Sequence, residues 1–407
     1  MTVLLSCVSA AAQTLTTLYD FGSNPRDGAD PLTGAVFDNA GNLVGAAAIG
    51  GGSGRGLIFQ LSPPGTPGGP WTETVLKRFH KNPDGAFPEC RLIVTSTGEL
   101  VGTTFEGGTN NGGIAFALVP PVVAGDPFKK LVIYNFGGFP GDAVNPNAGL
   151  LANGPVYYGV GSGGANFTGA VFQLTPPTRR GLPWTETILY GFEERGSGDA
   201  AFPSSELIMD KKGNLYGTAL LGGTNDVGAV YELSPPAVVG GPWTEQVLFS
   251  FNGADGSSPA GRLLLDASGT LFGTTDGGGA GEAGTVFQLA PPAAPGEPWT
   301  ETVLYSFSGA VDGSSPVGGV VMNQQGRLFG TAQHGGNGGP RISGSVVFAL
   351  DPPVQPGGAW TETVLYAFGG PDGFAPASLL TLKKGKLYGT TTQGGFFGTG
   401  TVFVLKP

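Results

Sequence analysis

Cysteine and histidine, which supply many of the ligands in protein metal centres, are almost missing from this sequence. Its 407 residues include two cysteines, Cys7 and Cys90, and two histidines, His80 and His334. Two cysteines are too few for a disulfide framework or a cysteine-based zinc site, and two histidines are too few for a multi-histidine metal centre. No cofactor is therefore predicted, although a calcium ion held by carboxylate and carbonyl oxygens remains compatible with the composition.

Charge is also scarce. Charged residues make up 12% of the chain, and 30 acidic against 20 basic residues give a net charge of -10. An acidic surface repels phosphate backbones, so the sequence predicts no nucleic-acid partner. No run of 18 apolar residues occurs, which predicts no transmembrane segment. The G-x-S-x-G elbow, the P-loop and the H-E-x-x-H zinc motif are missing as well.

The first twelve residues have the composition of the end of a secretory leader. Thr2–Ala12 reads TVLLSCVSAAA, an apolar stretch followed by small residues, as at a signal-peptide cleavage site. Cleavage after Ala12 would leave the first predicted strand intact. We therefore predict that residues 1–12 are the remnant of a signal peptide, that residues 13–407 form a single domain and that the protein is secreted.

Glycine and proline, in contrast, are abundant, with 75 and 34 residues. Without periodicity, such a composition would indicate disorder. Here the glycines fall at fixed positions within a repeated unit, so they are predicted to be turn residues. Each unit begins with the segment W-T-E-T or a degenerate copy of it, and the units start near residues 13, 71, 128, 184, 243, 299 and 360.

The unit at Trp299–Pro353 shows the landmarks that the others share. Its first segment, WTETVLYSF, alternates polar and apolar residues, which predicts a strand. The pair Asp312-Gly313, with Pro316 after it, predicts a turn that the Asp side chain caps. An apolar run, a tight hairpin and the string L-F-G-T follow, and these predict two further strands. A Gly-Gly turn then leads to a last strand, which ends at Pro-Pro.

Four strands per unit and no helical pattern predict a seven-bladed β-propeller with four-stranded antiparallel blades. A run that is apolar on both faces, such as Leu263–Leu265, should form the inner strand around the axis, and the W-T-E-T segment should form the half-solvated outermost strand. The chain begins with a strand of the outermost type and ends with one of the third type. We therefore predict that Leu15–Phe21 completes the last blade beside Gly400–Leu405.

The recurring strings also point to a family. Leu387-Tyr388-Gly389-Thr390-Thr391 is followed by Gly394-Gly395 and by Gly400-Thr401-Val402-Phe403, and similar strings occur at Leu215–Thr218 and Leu271–Thr275. This pattern resembles the Gloeobacter/Verrucomicrobium tandem repeat, the GloVer repeat, over nearly all of residues 13–407. The resemblance implies a secreted or cell-surface bacterial protein. It supplies no established activity and no catalytic residues.

In a ring of similar units, a binding site requires positions at which single units depart from the pattern. Three residues after the proline of the Asp-Gly turn, most units have glycine or leucine, but three carry a charged side chain. Directly before the Gly-Gly turn, some units also carry an ionisable side chain. We expect both sets to face one opening of the central channel and predict that they bind a ligand: Arg91, Glu206 and Arg262 from the first set, and Glu106, Asp276 and His334 from the second.

An acidic sugar is the leading hypothesis for the ligand, because the paired N–H groups of Arg91 and Arg262 would bind a carboxylate. A structural explanation competes with it. Glu206 and Arg262 could neutralise each other, and Arg91 could pair with Glu89 or Glu106, since ion pairs with a purely structural role look like sites.

The sequence thus indicates a secreted bacterial propeller that acts as a binding or interaction module, with a glycan or a cell-surface component as its partner. Two other classes stay open. One is a carbohydrate-active enzyme, either a glycoside hydrolase with Glu106 and Glu206 or Asp276 across a glycan, or a lyase with His334 as the base beside Arg341. The other is a structural component of the cell surface.

Overall fold

The computed structural model describes residues 13–66, 68–80, 82–123, 125–179, 181–238, 240–294, 296–336, 344–355 and 357–407. The predicted signal-peptide remnant, residues 1–12, and Arg341 lie outside them. In the described part of the chain, every regular element is a β-strand. The strands form seven blades of mostly four antiparallel strands, arranged as a seven-bladed β-propeller, which confirms the predicted fold class.

Within each blade, the strands follow the chain from the axis outward. The inner strands are Val36–Phe37, Ile93–Val94, Leu151–Asn153, Ile208–Met209, Leu264–Leu265, Val320–Met322 and Thr381–Lys383. The second strands are Leu43–Ala47, Leu100–Thr104, Val156–Gly163, Leu215–Gly222, Leu271–Thr275, Leu328–Ala332 and Lys386–Thr391. The third strands are Leu57–Ser62, Ile114–Val119, Ala170–Thr175, Ala229–Ser234, Thr285–Ala290, Ser345–Asp351 and Thr401–Lys406. The outer strands are Thr72–Arg78, Lys129–Asn135, Thr185–Gly191, Thr244–Ser250, Thr300–Ser306, Thr361–Phe368 and Thr14–Asp20.

Each blade has two distinct ends. The hairpins between inner and second strands lie at one end, which we call the hairpin end, together with the Pro-Pro segments. The Asp-Gly and Gly-Gly turns lie at the other, the loop end. There, four short strands pair the segment after the Asp-Gly turn with the end of the second strand: Gly28–Ala29, Ile49–Gly50, Ala143–Val144 and Ala200–Pro203.

The two ends of the described chain meet in the seventh blade. Thr14–Asp20 is the outer strand of that blade and pairs antiparallel with Thr401–Lys406, with Leu15 opposite Leu405. The Phe21 N–H donates to the Gly400 carbonyl at 3.0 Å, which extends the pairing by one residue. The predicted closure is therefore confirmed. It supplies the fourth strand of the seventh blade and covers the edge that Thr401–Lys406 would otherwise leave open.

Aromatic rings fill the space between neighbouring blades. In the fifth blade, a Cβ on Gly273 of the second strand would lie 2.5 Å from Cζ of Phe287 on the third strand, so this glycine makes room for the ring. The Phe287 ring packs edge-on against Phe251, which directly follows the outer strand of the preceding blade, with ring centroids 5.2 Å apart. Phe21 and Phe59 repeat this contact at the closure, 5.1 Å apart. Burial of such rings is the main force that holds the blades side by side.

The Asp residue of each turn caps that turn, as predicted. The Asp312 carboxylate accepts hydrogen bonds from the Ser308 N–H at 2.7 Å and from the Tyr305 hydroxyl at 3.0 Å. The equivalent aspartates of the other blades accept from the corresponding backbone N–H groups: Asp27, Asp84, Asp142, Asp199, Asp255 and Asp372. A residue that does the same local job in all seven blades does not mark a binding site.

Candidate functional site in the central channel

Seven residues at the equivalent position, three after each proline, form a ring around the channel just before the inner strands begin. They are Gly34, Arg91, Gly149, Glu206, Arg262, Gly319 and Leu379. The glycines lie against the neighbouring blade. A Cβ on Gly319 would be 2.6 Å from the Arg262 carbonyl oxygen, and one on Gly149 would be 3.0 Å from that of Arg91. The inner strands therefore approach closely at this level.

The structure brings Arg91, Glu206 and Arg262 together in this narrow space, and we call them the channel cluster. Arg262 Nε lies 3.2 Å from Glu206 Oε1, and both side chains are largely shielded from solvent. The other carboxylate oxygen of Glu206 extends over Gly149, where a Cβ would be 3.3 Å away. Glu206 thus lies between the two arginines, and Gly149 leaves the room for it.

Arg91 and Arg262 both have a buried Nε without a hydrogen bond among the described residues, although the Nε of Arg262 lies within ion-pair distance of Glu206. Burial lowers the pKa of the Arg91 guanidinium, the Glu206 carboxylate acts in the opposite direction, and Arg262 adds to the lowering. The carboxylate that acts on Arg91 is thus Glu206, rather than Glu89 or Glu106. Two guanidinium groups share one carboxylate, so the channel cluster has an excess of positive charge. A buried N–H group without a partner and an uncompensated charge both favour an anion.

A cavity of about 400 Å³ extends from Arg262 towards the hairpin end. The inner strands of three blades line it with Leu151, Ile208 and Leu264, and Asn153 and Asp210 lie where it meets the hairpins. The Asp210 carboxylate is already engaged, because it accepts hydrogen bonds from Lys212, Asn214 and Tyr216 in its own hairpin or beside it. The cavity therefore offers the Arg262 cation, the Asn153 amide and apolar walls.

Acidic side chains gather nearer the loop end, beside the first and second blades. Burial raises the pKa of Glu89, and the carboxylates of Asp30 and Glu106 raise it further. Glu106 pairs through its backbone with Ala86, at the end of the second strand. Of the three residues predicted before the Gly-Gly turns, Glu106 is thus part of an acidic group with Glu89 and Asp30.

Asp276 and His334 lie in the Gly-Gly turns of the fifth and sixth blades, at the loop end. The Asp276 N–H donates to the Ser258 carbonyl at 3.1 Å. The His334 N–H donates to the Ser314 carbonyl at 3.2 Å, and its exposed ring lies 6.3 Å from that of Phe374. None of the contacts of the described residues connects Asp276 or His334 to the channel cluster. A common role of all six residues stays a prediction.

Sequence reasoning missed a second set of ionisable groups, which lies between the blades. The sequence predicts that the W-T-E-T segment lies on a half-solvated outer strand. In Thr185–Gly191, the two threonines are exposed, whereas the glutamate between them is partly buried. Glu186, on the outer strand of the third blade, instead faces Asp142, which follows the outer strand of the second blade. Burial raises the pKa of Glu186 to about 9, and the Asp142 carboxylate adds to the rise.

One interface shows that these positions are coupled. Between the first and second blades, Lys77 replaces the tyrosine and Lys130 replaces the glutamate that most other interfaces have. Both Nζ atoms bind Asp84, at 2.8 and 2.5 Å, and side-chain exposure is 21% or less for all three residues. The sequence could have predicted this ion-pair network, because lysine replaces both side chains that contact the aspartate at most other interfaces. The prediction requires both positions to be compared across the repeats, since neither position alone indicates the network.

Neither a metal centre nor a membrane span emerges from the described residues. They contain no group of three or more His, Cys, Asp or Glu side chains with the geometry to bind a metal ion. They also include no helix with the length and hydrophobicity needed to cross a bilayer.

Comparison with known proteins assigns the chain to a family. The model of the Gloeobacter/Verrucomicrobia repeat matches residues 66–239 and 162–403. The chain belongs to the Gloeobacter/Verrucomicrobia repeat family. This membership confirms the resemblance seen in the repeated strings. Among curated protein sequences, none is significantly similar to this member of the family.

Solved structures share the fold of this repeat-family protein at low sequence identity. An ulvan lyase of polysaccharide lyase family PL25, bound to -[GlcA(1-4)Rha3S]-, is similar with a TM-score of 0.55 and 10% identity over 96% of this chain and 95% of that chain. The extracellular domain of a hybrid two-component system from B. thetaiotaomicron gives a TM-score of 0.53 and 11% identity. That match covers 96% of this chain and 39% of the other. At such identities, the similarity shows the fold alone.

Proposed function

We propose that this propeller is an extracellular binding module for acidic carbohydrates, with the ligand in the channel cavity and its carboxylate at the channel cluster. The observation that carries the proposal is the charge of the channel cluster, in which Arg91 and Arg262 share the single carboxylate of Glu206. A uronic acid would supply the missing negative charge. Arginine is suited to this task, because its planar group donates two parallel N–H bonds to a carboxylate.

The cavity next to the channel cluster suits a sugar in size and chemistry. Its volume of about 400 Å³ lies within the range of small-molecule sites. The walls formed by Leu151, Ile208 and Leu264 would contact the apolar faces of a pyranose ring, and the Asn153 amide would bind a hydroxyl. The extracellular setting rests on the predicted leader and on the likeness of the fold to an extracellular domain.

Calorimetric titration with oligoglucuronate and with a neutral glucose oligomer of the same length tests the proposal. The wild-type protein should bind the acidic oligomer and show no binding of the neutral one. Arg262→Ala removes a charge-assisted hydrogen bond and should weaken binding roughly 10- to 100-fold. Arg26→Ala, which removes an exposed arginine from an Asp-Gly turn at the loop end, is the matched control and should bind as the wild type does. Equal binding of both oligomers, or normal binding by Arg262→Ala, would refute the proposal.

The same samples distinguish a module from an enzyme. Release of new reducing ends, or of unsaturated uronate absorbing in the ultraviolet, would show turnover and would replace the binding module with a carbohydrate-active enzyme. We expect binding without either signal, because the described contacts place no acid–base pair at the channel cluster: Glu206 is bound to Arg262, and Glu106 lies with Glu89 and Asp30.

A further inference from the structure

The blades are joined at the hairpin end by a repeated aromatic contact. The tryptophan that begins an outer strand packs against the second strand of the preceding blade and the inner strand of its own. Trp299, for example, joins a cluster with Tyr216, Ile208 and Leu265, and its ring lies 6.3 Å from that of Tyr216. Six interfaces have such an aromatic residue: Trp71, Phe128, Trp184, Trp243, Trp299 and Trp360.

The interface between the sixth and seventh blades lacks it. The outer strand of the seventh blade is Thr14–Asp20, and the residue that precedes it, at the position of the tryptophan, is Gln13, whose side chain is exposed. The residues equivalent to Tyr216 and Leu265 are Phe329 and Leu382, and both are present in the cluster at this interface. Val321, the equivalent of Ile208, packs against the same cluster, so all three sides of the aromatic slot are intact, while the side chain that fills it elsewhere is missing.

A groove of about 540 Å³ lies at this interface. Phe329 and Leu382 line it together with Met322, Arg327 and Lys384. Its apolar floor is therefore formed by residues at the positions that contact a tryptophan or phenylalanine at the other interfaces. The substitution at residue 13 explains why a groove exists here, since an aromatic side chain at that position would occupy it.

Positive charge surrounds the groove in a chain of net charge -10. Arg327 and Lys384 line it directly, and Lys386 and Lys406 lie exposed on the adjoining strands of the seventh blade. Arg327 Nε lies 3.0 Å from the Asp351 carboxylate, with both side chains partly exposed. The cations at the rim thus outnumber the one carboxylate that pairs with them, so the rim attracts anions.

We propose that this groove is a second binding site, and that it takes a planar aromatic acid. The ring of the ligand would occupy the slot that tryptophan fills elsewhere, between Phe329 and Leu382. Its carboxylate would meet Lys384 and Arg327 at the rim. The site is separate from the channel cluster, so it does not depend on the proposed carbohydrate function.

Three probes define the chemistry of the groove. Indole-3-acetate carries both the ring and the charge, indole-3-acetamide carries the ring alone, and acetate carries the charge alone. Calorimetric titration should show binding of indole-3-acetate, weaker binding of the amide by roughly two- to fivefold, as for one exposed ion pair, and none of acetate. Equal binding of the acid and the amide, or binding of acetate, would overturn the proposal.

Variants locate the site. Gln13→Trp supplies the missing side chain and should both raise the melting temperature and abolish binding of indole-3-acetate. Gln13→Ala is the control and should leave binding unchanged. Lys384→Gln tests the rim without altering the slot, and should reduce binding of indole-3-acetate while leaving that of the amide unchanged. Wild-type binding of indole-3-acetate by both Gln13→Trp and Lys384→Gln would show that the probe binds elsewhere and would refute the assignment.

Discussion

Replacement of Glu186 by glutamine should change how stability depends on pH. This carboxyl group lies between the second and third blades, close to Asp142, and its two oxygens are buried without a hydrogen-bond donor at bonding geometry among the described residues. Burial, as the largest cause, and the Asp142 carboxylate raise its pKa from 4.5 to about 9. The folded state therefore holds a proton on Glu186 in a pH range in which the unfolded chain has lost it.

The sign of the effect follows from this difference. The stabilisation due to the raised pKa is complete below pH 4.5 and is lost as the pH rises through about 9. At 1.36 kcal/mol per pKa unit, the loss is at most about 6 kcal/mol over the whole range and about 3 kcal/mol by pH 7. Glutamine carries no charge at any pH, so the variant avoids this loss.

Urea denaturation of wild type and variant between pH 4.5 and pH 9 measures the effect. The two proteins should be similar at pH 4.5, and Glu186→Gln should become the more stable one as the pH rises. Glu194→Gln, in an exposed loop, is the control and should follow the wild type. A difference in unfolding free energy between the two proteins that stays constant over the pH range would show that the pKa of Glu186 is not raised in the folded state.

Three further predictions concern the interfaces and the closure of the ring, all measured by thermal or urea denaturation. Asp84→Asn should cost about 3 kcal/mol, because Lys77 and Lys130 lose the carboxylate between them, whereas Asp255→Asn should cost about 1 kcal/mol; equal losses would contradict this account. Gly273→Ala should cost about 1–3 kcal/mol, because its Cβ meets the Phe287 ring at 2.5 Å, while Gly65→Ala, with open space around it, should be nearly neutral. Phe21→Ala should cost about 3–5 kcal/mol, as much as Phe307→Ala; a much smaller loss would show that the N-terminal strand does not seal the ring.

The fold could be predicted from the sequence because each landmark is local and recurs. The Asp-Gly turns, the Gly-Gly turns and the apolar inner strands each follow from a few neighbouring residues, and seven repetitions determine the architecture. The closure by Leu15–Phe21 followed from the same logic, because the type of the first strand differs from that of the last.

The arrangement of charges could be predicted only in part. Arg91, Glu206 and Arg262 stand out because they break the repeat, and they lie together because equivalent positions in a propeller form a ring. Glu186 does not break the repeat, so only the structure shows that it faces Asp142 across an interface. Gln13 was recognised as part of a degenerate copy, but the groove that it leaves depends on Phe329 of the preceding blade.

The central functional claim is that the excess positive charge of the channel cluster holds an acidic ligand, and Glu206→Gln tests it most directly. The substitution preserves the shape of the side chain and removes the carboxylate that competes for Arg91 and Arg262. Calorimetric titration with oligoglucuronate should show tighter binding to Glu206→Gln than to the wild-type protein. Weaker binding, or none, would contradict the account.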